Sequence, residues 1–331
     1  MDQERPKIIC LTPVKNEAWI LDKFLKAVSL WADHIIIADQ MSTDGSREIC
    51  KKYPKVILID NNSLTFNEPD RQKLLIDEAR KIGGRRLLIT LDADEIFSPN
   101  FETSAEWDTM INAKAGTIFE FARYNLFPDL QNMWRENSFP CGYMDDGAAH
   151  KGNLIHSARI PLPVQNDRIR MTDIKVLHFQ YTDWRRLKIK HYWYQSFELI
   201  NKVNNPIDIF RRYHNMDSID KIEPIRDKWI DEFQKMDIDI TSVYQQNMLY
   251  WEKQILDYMD TYGVKYFSHL NIWEVSWVAV AKKWNYPYPE KYSDLRQKWE
   301  KAVNQWLIRT QAKQNKWLVK KIDAFLKKIY N

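Results

Sequence analysis

The chain opens with short apolar runs that alternate with helical patterns. Lys7–Val14 (KIICLTPV), His34–Asp39 (HIIIAD), Val56–Asp60 (VILID) and Arg86–Leu91 (RLLITL) are near-continuous apolar runs of strand length. Between them, Ala18–Trp31 sets Ile20, Phe24, Val28 and Trp31 on one helical face. Ser46–Lys52 reads as a short helix, and Glu68–Ile82 as a longer one stopped by Gly83-Gly84. Strands apolar on both faces, alternating with helices, predict a parallel sheet covered on both sides. Such sheets bind ligands beyond the carboxyl ends of their strands. The residues there are polar: Lys15-Asn16-Glu17, Asp39, and Asp92-Ala93-Asp94-Glu95.

From Phe97 to His178 the pattern is mixed. Thr117–Ala122 (TIFEFA) and Lys175–Gln180 (KVLHFQ) read as strands, and the stretch between them as irregular, rich in Pro, Gly and Asn. After Tyr181 strand signals fade, and Trp184, Leu187, His191 and Tyr194 share a helical face. The expectation is an α/β domain over residues 1–180 and a mostly helical extension over 181–331.

Composition sharpens this division. The 331 residues hold only 8 Gly against 14 Trp; all glycines but Gly263 lie at or before Gly152, and ten tryptophans lie after it. No GxGxxG and no GxxxxGK[ST] is present, which excludes the usual glycine-rich phosphate cradles. Cys10, Cys50 and Cys141 form no CxxC pair, which argues against a zinc ribbon or disulfide scaffold and fits a reducing compartment. No apolar run approaches eighteen residues, so the expected location is the cytoplasm. Residues 300–331 carry eight Lys/Arg and two Asp/Glu, whereas the other 299 residues are close to balanced. The basic excess belongs to this last segment, which counts against nucleic acid as a partner of the body.

Asp92-Ala93-Asp94 follows an apolar strand. Two carboxylates two positions apart can share a divalent cation with substrate phosphates, as Mg²⁺ and Mn²⁺ prefer. A DxD alone is common on solvated loops; its place in a sheet with two other acidic strand ends points to chemistry.

The stretches TPVKNEAWILDKFL (12–25), HIIIADQMSTDGSREI (34–49) and LLITLDADEIF (87–97) resemble, in order, the three hallmark blocks of family-2 glycosyltransferases. The resemblance spans roughly residues 6–180. It implies a GT-A-type, Rossmann-like α/β fold, mostly parallel, with helices on both faces. It implies inverting transfer from a nucleotide-sugar donor, UDP-linked by expectation, to a glycan or lipid-linked glycan, as in lipopolysaccharide-core or capsule enzymes. Carried over residue by residue, it assigns the nucleotide sugar to Thr12, Pro13, Glu17, Asp39 (uracil), Arg71 and Asp92 (ribose). It assigns Mg²⁺ or Mn²⁺ to Asp94, and His178 in VLHFQYTDW completes the metal site. Asp44 reads as a turn or cap residue.

The resemblance places the catalytic base after the third block. Asp145-Asp146 in CGYMDDGAAH is the adjacent Asp pair of that region, and Asp146, backed by Asp145, is the expected base on a flexible loop between Gly142 and Gly147. Relatives often carry Glu after a His here; His156 is instead followed by Ser157, a departure that leaves Asp173 as a further candidate. Among the aromatics, Tyr192, Trp193 and Tyr194 are the expected acceptor contacts, against the plainer reading that they fill helix interfaces. The last helix, from about Lys313, carries Leu318, Ile322, Phe325, Leu326 and Ile329 on one stripe with lysines around it, a pattern suited to peripheral contact with an anionic membrane. Two alternatives stay open: a glycan- or membrane-binding protein on a degenerate transferase scaffold, and a HAD-type phosphatase, since LDADE also resembles a strand ending in a nucleophilic Asp.

Overall fold

A computed structural model describes residues 4–214 and 221–330. In chain order the elements are β1 (Lys7–Val14), α1 (Leu21–Ser29), β2 (His34–Asp39), α2 (Ser46–Cys50), β3 (Val56–Asp60), α3 (Glu68–Ala79), β4 (Arg86–Thr90), β5 (Glu95–Phe97), α4 (Ala105–Ile111), β6 (Ile118–Leu126), β7 (Asn132–Met144) and β8 (Arg168–His178). There follow α5 (Trp184–Ile200), α6 (Pro206–Tyr213), β9 (Glu223–Pro224), α7 (Asp227–Lys235), α8 (Tyr250–Tyr262), α9 (Trp277–Lys283), α10 (Lys298–Thr310) and α11 (Trp317–Ile329). The chain divides into two compact units. One runs to Thr182 and takes in Lys221–Gln245; the other starts at Asp183 and resumes at Gln246. The return of 221–245 to the first unit has no counterpart in the two-part reading of the sequence.

The first unit is built on one sheet in the order β3-β2-β1-β4-β7-β6-β8-β5, with β9 against β7. β1, β2, β3 and β4 pair in parallel, and their apolar runs are buried because helices cover both faces. Past β4 the sheet turns mixed: β7 is antiparallel to β4 and β6, and β5 to β8. The expectation of a mostly parallel sheet is refined accordingly. β7 lies inside the stretch read as irregular; its face alternates less cleanly, and Pro140 and Gly142 disguise it. Gly142 lies inside this strand rather than beside a flexible loop, where a Cβ would sit 3.0 Å from Phe119 Cβ.

The register of β8 is reset part-way. Phe121 pairs with Met171, but the next residue, Ala122, pairs with Lys175. Thr172, Asp173 and Ile174 are looped out, and their amide N–H groups all donate to the carboxylate of Glu106 on α4, at 3.0 Å for Asp173 and 2.9 Å for Ile174. Without the loop, Asn125 would face Lys175; with it, Asn125 faces His178.

In the second unit, Tyr192 and Trp193 are buried within the helical packing and Tyr194 stacks on Tyr213 at 5.7 Å. Of the aromatics expected to meet an acceptor, Tyr192 and Trp193 are core residues here and Tyr194 is half-buried. Arg211 ties α6 to α10 and α11 through Asp323, the Leu307 carbonyl, Gln311 and Thr310.

Glu106→Ala removes the shared acceptor of three backbone donors. We expect a loss of about 2 kcal/mol in urea unfolding, with Glu106→Gln losing less because one oxygen remains. Equal stability of all three proteins would show that the loop does not need its clamp.

Candidate active site

The loops after β1 and β2 are laced together. Asn16 N–H donates to Ser42 Oγ (2.8 Å), Thr43 N–H to Asn16 Oδ1 (2.8 Å), Glu17 N–H to Ser46 Oγ (2.9 Å) and Ala18 N–H to Asp44 Oδ2 (2.9 Å). Asn16 and Met41 hold left-handed backbone, φ 57° and 53°, a strain the lacing sustains. Asp44 also accepts from Ser46 N–H and Oγ, the turn role expected of it.

Asp39 ends β2 and is buried. Its Oδ2 accepts from Arg47 Nη1 (2.9 Å) and Ser42 N–H (3.2 Å); its Oδ1 is buried with no hydrogen-bond partner. A buried carboxylate oxygen without a donor is costly unless a ligand supplies one. Arg47 also reaches Asp60 at 2.8 Å, so one guanidinium ties the ends of β2 and β3.

Asp92, Asp94 and Glu95 follow β4. Arg159 bridges Asp92 and Glu95 and lies over the Phe139 ring at 4.9 Å. Arg123 approaches Glu95 at 3.4 Å and Glu136 at 3.5 Å. Burial pushes the Glu95 pKa up, but the two arginines outweigh it and hold it at about 2. Glu95 is therefore a fixed anion that holds two arginines, and it does not exchange protons near neutrality.

The β8 register places His178 beside both Glu95 and Asn125. His178 Nδ1 lies 2.7 Å from Asn125 Oδ1, which accepts its N–H and turns Nε2 toward Asp94. Nε2 lies 3.6 Å from Asp94 Oδ1, and both side chains are buried. Asn125 in turn directs Nδ2 toward Glu136 Oε2 at 3.5 Å. An imidazole oriented by a second residue, next to a carboxylate, is a donor pair suited to a divalent cation. Among the described residues no three His, Cys, Asp or Glu side chains converge on one metal position. Two protein donors with the rest from phosphate and water fit Mg²⁺ or Mn²⁺.

The expected residues divide into those that gather and those that do not. Asp94 and His178 meet, and Asp92 lies two residues from Asp94 on the same loop. Thr12 and Pro13 are buried within the end of β1, where Thr12 Oγ1 meets Cys10 Sγ at 3.6 Å. Glu17 accepts from Trp19 Nε1 at 2.6 Å. Arg71 lies over Phe66 at 5.2 Å, 4.0 Å from Glu68, in none of the contacts around Asp92.

Asp145 and Asp146 do not join the cluster. Asp145 N–H donates to the carbonyl of Arg86, the first residue of β4, so the pair sits at the amino end of the strand whose carboxyl end carries Asp92. Six extended residues separate those ends, roughly 20 Å. Asp145 is fully enclosed and holds Arg80 (2.8 Å) and Arg86 (3.0 Å); Asp146 accepts from the Tyr143 hydroxyl and Ala148 N–H (2.8 Å). The reason is β7, unread in the sequence, which carries the pair to the far edge. Asp173 is likewise distant, in the loop held by Glu106. Arg47, Glu95, Arg123, Asn125, Glu136 and Arg159 are the residues missed. Glu95 was in view inside LDADE; the others stand in stretches without a chemical pattern.

Residues 9–126 match the family model "Glycosyl transferase family 2". This segment is that of a family-2 glycosyltransferase. The match contains all three acidic strand ends, and it leaves the phosphatase alternative without support. The first unit has the α/β fold expected from that resemblance, its sheet mixed rather than mostly parallel. No curated protein is similar to the chain in sequence at a significant level. Among solved structures, S. aureus TarS 1-349 is 11% identical over 93% of this chain and 91% of that one, with a TM-score of 0.36. Glucosyl-3-phosphoglycerate synthase from Mycobacterium tuberculosis, in complex with Mn²⁺, UDP and phosphoglyceric acid, is 14% identical over 37% of this chain and 43% of that one, with a TM-score of 0.28. Likenesses this distant identify neither donor nor acceptor for the family-2 glycosyltransferase segment here.

Asp145→Asn keeps the shape but removes the anion that holds Arg80 and Arg86. We expect a loss of about 3 kcal/mol. The arginines and the Gly147 N–H outweigh burial and lower the Asp145 pKa in the fold. Its contribution is therefore complete above the usual carboxylate pKa and fades as pH falls through the lower folded value. Urea melts of both proteins across acid pH check this: the two curves should converge at low pH, and a constant gap would contradict the assignment.

Proposed function

We propose that the chain is an inverting, metal-dependent glycosyltransferase. In this reading it moves a sugar from a nucleoside-diphosphate donor, UDP-linked by preference, to the hydroxyl of a glycan or lipid-linked glycan. The observation that carries the reading is the cluster at the carboxyl ends of β2, β4 and β8: Asp39 with its unpartnered buried Oδ1, Asp92, and Asp94 beside an oriented His178.

Asp39 Oδ1 accepts the ring N–H of the base, which supplies the missing donor. Asp92 faces the ribose, releasing part of its hold on Arg159. Asp94 and His178 Nε2 would hold the cation, whose chemistry there would be to offset the negative charge of the diphosphate leaving group. Arg159, positioned by Glu95, is a protein cation available to that departing charge.

The base must be a carboxylate at this end of the sheet that solvent and acceptor can reach. Glu95 is enclosed and fixed as an anion, and Asp39, Asp92 and Asp94 are assigned to donor and cation. Glu136, on the part of β7 that runs past the end of β4, has its side chain 39% exposed and is tethered by Arg123 and Asn125. We assign it the role first expected of Asp146. Glu136 Oε takes the acceptor hydroxyl proton as that oxygen attacks the anomeric carbon, and the nucleoside diphosphate departs from the opposite face.

The test is steady-state transfer with a panel of nucleotide sugars and mixed glycan acceptors. Glu136→Gln should lower kcat by roughly 10²–10⁴ with little change in donor KM. Asp94→Asn should raise the Mn²⁺ or Mg²⁺ concentration for half-maximal rate by at least roughly tenfold. Asp146→Ala should transfer at the wild-type rate. Full activity of Glu136→Gln, or a collapse in Asp146→Ala with its fold intact, would overturn the base assignment.

A further inference from the structure

Helix α11 turns its apolar residues two ways. Val319 is buried and Leu326 packs on the small core of Ile207, Phe210 and Leu307, while Asp323 is bound by Arg211. The stripe read in the sequence is thus split: Ile322 and Leu326 are at least half-covered, and the rest faces outward. Trp317 is 68% exposed, Leu318 59%, Phe325 64% and Ile329 51%. Leu318, Phe325 and Ile329 are spaced by seven and four, one row along the helix. Lys316, Lys320, Lys321 and Lys328 are exposed among them, and Lys321 lies over the Trp317 ring at 4.0 Å.

The carboxylates of this region are turned away. Residues 300–331 contain two, Glu300 and Asp323, and both are buried. Glu300 accepts from the Ser268 hydroxyl (2.5 Å) and Gln297 N–H (2.6 Å), and Asp323 from Arg211. The outward face of α11 therefore joins four large apolar side chains to lysines, with no acid of its own.

We propose that this face docks in the plane of an anionic lipid bilayer. Trp317, Leu318, Phe325 and Ile329 enter the boundary between headgroups and acyl chains, and the lysines meet anionic headgroups. No described helix is long and apolar enough to cross a membrane, so the contact is one of lying on the surface. Charge chooses the partner. A second copy placed on the same face would set lysine against lysine, and a nucleic acid would leave the apolar row in water. The inference rests on the second unit alone and stands apart from the glycosyltransferase reading.

The full chain is sedimented with vesicles of phosphatidylcholine, with and without phosphatidylglycerol. Binding is expected only to the phosphatidylglycerol vesicles, and it weakens as salt shortens the reach of the charges. The double variants Phe325→Ser/Ile329→Ser and Lys320→Glu/Lys321→Glu should each lower partitioning at least about tenfold. Their melting temperatures should stay at the wild-type value, since these side chains are exposed. Wild type that ignores the anionic lipid, or variants that bind like wild type, would overturn the proposal. So would a lipid-free dimer that Phe325→Ser dissolves, because it would give the face to a second copy.

Discussion

Three residues that do not pair govern the acidic site. Thr172, Asp173 and Ile174 leave the β6–β8 ladder, and the carboxylate of Glu106 satisfies the donors they would otherwise strand. The cost of looping them out is offset by a register that sets His178 against Asn125 on one side and Glu95 on the other. A strand without the loop would bring Lys175 to that position and put an ammonium where an imidazole now stands. The juxtaposition of Asp94 and His178 thus depends on a backbone hydrogen-bond arrangement part-way along the same strand.

The second constraint is electrostatic. Asp39, Asp92, Asp94, Glu95 and Glu136 crowd one end of the sheet, and carboxylates so close cannot all stay ionised and buried without cations. Arg47, Arg123 and Arg159 meet that need unevenly. Glu95 takes two guanidiniums and becomes part of the scaffold. Asp39 keeps one oxygen unpartnered, and Asp94 faces the His178 imidazole. The charge left uncompensated lies where a cation and a nucleoside diphosphate would supply the balance. On the proposed function this also fits a chain with so few glycines: no run of backbone N–H groups would be required to cradle phosphate where carboxylates and a metal could do that work.

The parallel half of the fold was legible because its strands are buried on both faces and read as unbroken apolar runs. β1, β2 and β3 fall on the residues the pattern marks, and β4 ends one residue early. Legibility failed where strands have mixed faces. β7 contains a proline, a glycine and an exposed row, so its pattern resembles a loop, and the Asp145-Asp146 pair at its end was taken for an active-site loop. Periodicity along one strand cannot say which end of a sheet its last residue reaches; that depends on antiparallel pairing with β4. Asp39, Asp92, Asp94 and His178 could be singled out because they follow apolar runs, and the structure sets Asp94 beside His178. Arg159, Glu136 and Asn125 act through contacts made across the sheet, between residues far apart in sequence, and no local motif marks them. In the helical unit the aromatic richness was plain, but sequence alone could not separate the buried rings, such as Tyr192, Trp193 and Trp277, from exposed ones such as Trp317.

The central claim is that the Asp39, Asp94 and His178 cluster binds a nucleoside diphosphate through a divalent cation. Calorimetric titration of UDP into the full chain, with and without Mn²⁺, tests it most directly, with GDP, CDP and ADP as comparisons. The account predicts binding of one nucleotide that requires the metal and is lost in Asp94→Asn, with Asp39→Asn weakening the nucleotide while leaving the metal requirement unchanged. Absence of binding by every nucleotide in the presence of metal, or binding indifferent to metal and to both substitutions, would contradict it.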